Sequence, residues 1–175
     1  MLDTFSTAHI LLVDDEPSFR LLAERFLSKQ GYKVHCAADL TQARAVLAAN
    51  VVDLVLLDLS LPPVFDPQHT LAAIPDFLAQ PVIILTGHAE RELALQAIAA
   101  GAWDFIAKPV DPDLLAVVVK RAVGKHQLEL ELNRLQQRLL PVQGSQQIIG
   151  VSKQMENVRT LIERIAPTDV RVLVT

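Results

Sequence analysis

Short apolar runs separated by stretches of helical length constrain this chain more than any other feature of its sequence. The runs lie at 9–13, 51–57, 81–85 and 102–106, with a weaker one at 32–36, and the intervening stretches at 17–29, 40–49, 70–79 and 89–100. Strand-length runs alternating with helices of ten or more residues predict an α/β domain built on a parallel sheet. The nearly unbroken run Val51-Val52-Asp53-Leu54-Val55-Leu56-Leu57 suits a strand covered on both faces. Helix signals agree: Pro17 fits a first turn and Gly31 follows a helix end. Asp39, with Gln42 three residues on, reads as a capping box, and Asp111-Pro112 opens a further helix.

That last helix runs on from 112 to about 140, where Pro141 ends it. At 1.5 Å per residue its length is roughly 43 Å. Leu128, Leu132, Leu135 and Leu139 follow a 4-3-4 spacing, the seam of a coiled coil, interrupted upstream by Lys125 and Arg121. Two readings stand: a homodimer through this seam, or leucines that pack on a following domain. Gly124 reads as a soft joint, since glycine weakens a helix interior. The polar stretch 143–147 reads as a linker. Residues 148–175 hold one helical pattern and one apolar run, too little for a core of their own. The expected organisation is a domain at 8–125, a helical linker at 126–147 and the incomplete start of another domain at 148–175.

Composition enters by exclusion. The chain has 175 residues, is 51% hydrophobic and carries a net charge of −4. That balance argues against disorder over most of the length and against a broad basic surface for nucleic acid. The single cysteine, Cys36, permits no internal disulfide and no thiolate zinc cluster, and the five histidines are scattered along the chain. No apolar run approaches the ~18 residues that suggest a membrane span, and the start lacks the pattern of a signal peptide. A cytoplasmic location is expected.

The chemistry sits at the strand ends. The first run leads into Asp14-Asp15-Glu16 and the third into Asp58. In an open parallel sheet the carboxyl ends of neighbouring strands meet at the ligand crevice. Two unit charges 4 Å apart repel by about 4 kcal/mol at an effective dielectric near 20, so three converging carboxylates would raise their pKa values or bind a divalent cation. Oxygen donors without histidine or cysteine favour a hard ion such as Mg²⁺. Thr86 ends the fourth run and Lys108 follows the fifth. A hydroxyl and an ammonium beside such carboxylates suit phosphoryl transfer, where positioning and charge neutralisation dominate, with Asp58 as nucleophile forming an acyl phosphate. Taken singly, each residue is as readily a helix cap or a solvated charge; their joint placement carries the reading.

These residues resemble a known family. Ile10-Leu11-Leu12-Val13-Asp14-Asp15-Glu16, Leu56-Leu57-Asp58-Leu59-Ser60-Leu61-Pro62, Ile84-Leu85-Thr86-Gly87-His88 and Phe105-Ile106-Ala107-Lys108-Pro109 look like the receiver domain of two-component response regulators. The resemblance implies a five-stranded parallel sheet of order 2-1-3-4-5 with helices on both faces. It implies that Asp58 accepts a phosphoryl group from a phosphohistidine on a sensor histidine kinase. It further implies that Asp15, Asp58 and the backbone carbonyl of Ser60 bind Mg²⁺, with Asp14 acting mainly through water. Thr86 and Lys108 would take the phosphoryl oxygens, and Phe105 would be the switch aromatic, although its position suits plain core packing equally. Ser60 and His88 would tune hydrolysis. The family usually has glycine in the loop after the phosphorylated strand; here Leu61-Pro62-Pro63-Val64-Phe65-Asp66-Pro67 has three prolines and none.

The tail resembles, through Ile148-Ile149-Gly150-Val151-Ser152 and Val172-Leu173-Val174-Thr175, the opening of the AAA+ domain of sigma-54-dependent activators of the NtrC type. The expected role is a receiver that switches dimer geometry to control such an ATPase and, through it, sigma-54 RNA polymerase. The chain itself would not be an enzyme beyond its own phosphorylation and dephosphorylation, because no phosphate-loop motif is present. Two rivals follow: a degenerate receiver that only dimerises, and an aspartate-nucleophile phosphatase. The second typically needs another aspartate two residues after the nucleophile, where this chain has Ser60.

Overall fold

A computed structural model describes residues 7–87 and 91–139. Five strands and the helices between them alternate along the chain: β1 (His9–Val13), α1 (Pro17–Lys29), β2 (Lys33–Ala37), α2 (Leu40–Ala49), β3 (Leu54–Asp58), α3 (Pro67–Ala73), a 3₁₀ turn (Ile74–Phe77), β4 (Val82–Thr86), α4 (Arg91–Ala99), β5 (Asp104–Ala107) and α5 (Pro112–Leu139). All strand pairs are parallel, and the order across the sheet is 2-1-3-4-5. The expected architecture is the observed one.

Every residue of β3 and β4 is buried, as the two-sided cover requires. Alternate side chains of β3 serve two cores. Val55 and Leu57 join Leu40, Ala43, Leu71, Phe77 and Ala97 on one face. Leu54 and Leu56 join Ala23, Leu27, Leu115, Val119 and Ala122 on the other. Each fully buried leucine or phenylalanine stabilises the fold by about 1.5–3 kcal/mol over its exposed state.

Local signals place the helix starts. Asp39 accepts the Gln42 backbone N–H at 2.8 Å, while the Gln42 side chain accepts the Ala38 N–H at 3.0 Å. Asp111 accepts the N–H groups of Asp113 and Leu114. Gly31 has φ +92, the left-handed turn that releases α1 into β2.

Several features differ from the sequence reading. β3 begins at Leu54 rather than 51: Val51 is 79% exposed, and the Asp53 carboxylate takes the His9 N–H at 2.7 Å. The third helix starts at Pro67, because Asp66 caps it through the Gln68 N–H, and Pro75 tightens its end into the 3₁₀ turn. Gly124, read as a soft joint, lies within an unbroken α5. The chain divides into one compact unit ending at Leu130 and another beginning at Glu131. Of the expected features, His88, Pro141, the stretch 143–147 and the domain start at 148–175 lie outside the described residues.

Candidate functional site

The ends of β1, β3, β4 and β5 bring the expected residues together. Asp14 directly follows β1, Asp58 ends β3, Thr86 ends β4 and Lys108 follows β5. Pairing of β1 with β3 puts the first two side by side. One oxygen from each of Asp14, Asp15 and Asp58 lies within 4.8 Å of the others. Lys108 reaches into this cluster, its Nζ 2.6 Å from Asp14 Oδ2 and 2.7 Å from Asp58 Oδ2.

The rest of the shell fixes these groups. Asp14 Oδ1 accepts the Glu16 N–H at 2.9 Å, and Asp58 Oδ1 accepts the Ser60 N–H at 3.2 Å. Both oxygens of each carboxylate are therefore engaged. The Lys108 N–H donates to the Thr86 carbonyl at 2.8 Å, tying the β5 end to the β4 end. Thr86 is fully buried. Phe105 is half-buried against the core shared with α2, α3 and α4. Ser60 is in place beside Asp58, with its hydroxyl 3.4 Å from the Phe65 carbonyl.

Two contributors escaped the sequence reading. The Arg20 guanidinium donates to the Asp14 carbonyl, and the Lys108 ammonium sits 4.6 Å from the centre of the Phe19 ring. Both come from the first two turns of α1. An aromatic and an arginine just after an acidic turn are the only signal the sequence carries for them, and a weak one.

Asp14 is wholly buried, and burial pushes its carboxyl above the ordinary value of 3.8, with Asp58's charge adding to the rise. The hydrogen bonds from Lys108 and Glu16 and the charge of Lys108 only partly offset this. For Lys108, burial works against the charged form, but bonds to Asp14 and Asp58 outweigh it and hold the ammonium above its ordinary 10.5. The signs follow. A carboxyl raised by folding contributes stability that is complete below 3.8 and lost as pH rises through the folded-state value; the lysine's contribution persists until far more alkaline pH. Asp14→Asn, neutral at every pH, is therefore expected to stabilise the ion-free chain at pH 7. The gain should be on the order of 1 kcal/mol, or a few degrees in Tm. Thermal unfolding in chelator across pH 4–8 (about the carboxylate-to-neutral range) checks it; a wild type and variant that run parallel across that range would contradict it.

An open 2-1-3-4-5 sheet with three acids and a lysine gathered at its strand ends is the architecture of a receiver domain. Residues 10–120 match the response regulator receiver domain family. The chain is 34% identical over 167 residues to the nitrogen assimilation regulatory protein NtrX of Azorhizobium caulinodans, covering 94% of this chain and 36% of that protein. It is also 34% identical over 168 residues to the C4-dicarboxylate transport transcriptional regulatory protein DctD of Rhizobium meliloti, again covering 94% and 36%. The crystal structure of a CheY-like receiver domain protein from Methanospirillum hungatei superposes with a TM-score of 0.64 at 28% identity, covering 71% of this chain and 99% of that one. The chain belongs to the response regulator receiver domain family. It spans about a third of the length of the curated relatives it matches.

Proposed function

We propose that Asp58 accepts a phosphoryl group from a phosphohistidine on a sensor histidine kinase. The observation that carries this reading is the Lys108 ammonium bridging two carboxylates that are otherwise buried beside Asp15. In the transfer, a carboxylate oxygen of Asp58 bonds to phosphorus as the P–N bond breaks. The imidazole leaves with that electron pair and takes up a proton. In this reading Lys108 neutralises charge on the transferring group and the Thr86 hydroxyl meets a phosphoryl oxygen.

The donor set is all oxygen, with three carboxylates close enough to share one ion, and fits a hard divalent cation such as Mg²⁺. Asp15, Asp58 and the Ser60 carbonyl would hold it, with Asp14 acting mainly through water. A bound cation would supply further positive charge for the phosphoryl oxygens. Phe105 follows Thr86 inward in this reading, changing the surface near α4 and α5. Turnover of free phosphomonoesters is not expected, since Ser60 stands where a phosphatase would need its second acid.

The proposed output is a change in homodimer geometry through α5, passed to an AAA+ domain that acts on sigma-54 RNA polymerase in the cytoplasm. Leu128, Leu132 and Leu135 lie exposed on α5, with Leu139 at its last described turn, as a seam awaiting a second copy requires. Changing Leu132 and Leu135 together to alanine should convert a dimer to monomer by light scattering at micromolar chain; an unchanged mass would remove the seam from the account. For the site itself, a beryllium trifluoride phosphoryl analogue with Mg²⁺ should shift the fluorescence of Trp103, whose ring lies 4.2 Å from the Lys125 ammonium of α5. No change in fluorescence or in the NMR spectrum would favour a receiver that works without phosphate.

A further inference from the structure

Phe19 stands in the first turn of α1, just beyond the acidic turn that carries Asp14 and Asp15. Three bonds tie that turn to the helix. The Glu16 N–H donates to Asp14 Oδ1 at 2.9 Å, the Arg20 N–H to the Glu16 carbonyl at 3.1 Å, and the Arg20 guanidinium to the Asp14 carbonyl. The Phe19 ring is thus fixed relative to the acids. It is half-buried against the core shared by α1 and α5, and lines an apolar hollow with Ala23, Val110 and Leu115. Val110 belongs to the same connection after β5 that presents Lys108.

Packing in that hollow asks only for an apolar side chain. The ring's other neighbour asks for more. The Lys108 ammonium lies over it, 4.6 Å from the centroid, while bonding to Asp14 and Asp58 at 2.6 and 2.7 Å. A cation within about 6 Å of an aromatic centroid is attracted by the ring quadrupole, and more strongly where water is excluded. The lysine side chain is only 19% exposed. Carboxylate and ring also hold it differently. A carboxylate oxygen engages a particular N–H, whereas a ring face attracts the charge as a whole.

We propose that Phe19 is a positioning residue whose ring face keeps the Lys108 ammonium in place while its N–H pairing passes from Asp58 to a phosphoryl oxygen. The proposal rests on the phosphoacceptor reading above. Once an Asp58 oxygen is bonded to phosphorus, that carboxylate no longer carries the charge that held the lysine. The ring is unchanged by the transfer, so its attraction persists through it. Phe19 acts only through Lys108.

The test measures acyl phosphate formation from phosphoramidate with Mg²⁺ present, followed by intact mass. In that reaction the P–N bond breaks as the Asp58 oxygen bonds to phosphorus, and ammonia leaves. F19L keeps the apolar bulk without the quadrupole, F19M does the same should F19L fail to fold, and F19Y keeps both. The rate should fall about fivefold in the aliphatic variants and stay within about twofold of wild type in F19Y. Separately, in the cation-free chain, the Lys108 ε-methylene protons should be shifted upfield by the ring in wild type and F19Y, and sit at ordinary lysine positions in F19L or F19M. Aliphatic variants that react as fast as wild type would overturn the proposal. Equal losses in aliphatic and aromatic variants would also overturn it, by reducing Phe19 to packing. Unshifted lysine protons in the wild type would do the same. A wild-type chain that takes up no phosphoryl group would instead bring down the acceptor reading, and this proposal with it, whatever the proton shifts.

Discussion

Asp58→Asn abolishes covalent phosphoryl uptake in this account, from any donor and at any Mg²⁺ concentration. The amide keeps the shape and can still accept from the Ser60 N–H, which Asp58 Oδ1 now does at 3.2 Å. It lacks the anionic oxygen needed to attack phosphorus and form the acyl phosphate. The loss is therefore complete rather than graded, and the fold should survive. Phosphate incorporation by intact mass, with circular dichroism as the folding control, checks both halves. Residual incorporation at the wild-type level would point to another acceptor.

Lys108→Ala should have the largest effect on stability. Its ammonium contacts Asp14 Oδ2 at 2.6 Å and Asp58 Oδ2 at 2.7 Å, and both carboxylates are buried. Removing one partner of a buried ionic cluster leaves the others uncompensated, at a typical cost of about 3–5 kcal/mol. The sign with pH is specific. Asp14 already sits above its ordinary value because of burial, and without Lys108 it loses both the hydrogen bond and the charge that restrain the rise. The variant should be weakest near neutrality and recover as acid protonates Asp14. Millimolar Mg²⁺ should restore part of the loss at pH 7 by binding the folded state. A variant with wild-type Tm at pH 7 in chelator would show that the lysine is not holding the acids together.

Helix starts were readable wherever a capping residue stood next to a proline or ahead of a regular pattern. α1 and α2 fall on the residues expected because Pro17 and Asp39 mark them, whereas α3 starts at Pro67 behind the Asp66 cap, ahead of the expected 70. Apolar content alone misplaced the start of β3, since Val51 reads like a strand residue and stands in solvent. Asp53 is spent on the His9 backbone instead of a ladder position. For the site, Asp14, Asp15, Asp58, Thr86 and Lys108 were legible because each ends or directly follows an apolar run, and a parallel sheet collects such positions at one edge. Phe19 and Arg20 were not, because their contact with Lys108 and Asp14 depends on how α1 packs across the sheet, which no local pattern encodes. The left-handed Phe65, at φ +55, was equally invisible: a glycine there would have announced the turn, and a phenylalanine conceals it.

In this account Asp58, one aspartate in a lysine-bridged acidic cluster, is a cation-dependent phosphoryl acceptor. Incubation of the wild-type chain with phosphoramidate, reduction of any acyl phosphate with borohydride and peptide mass mapping tests it most directly. With Mg²⁺ present, the reduced residue should be found at position 58, and chelator should prevent its appearance. Modification at a different residue, or equal labelling in chelator, would contradict the account.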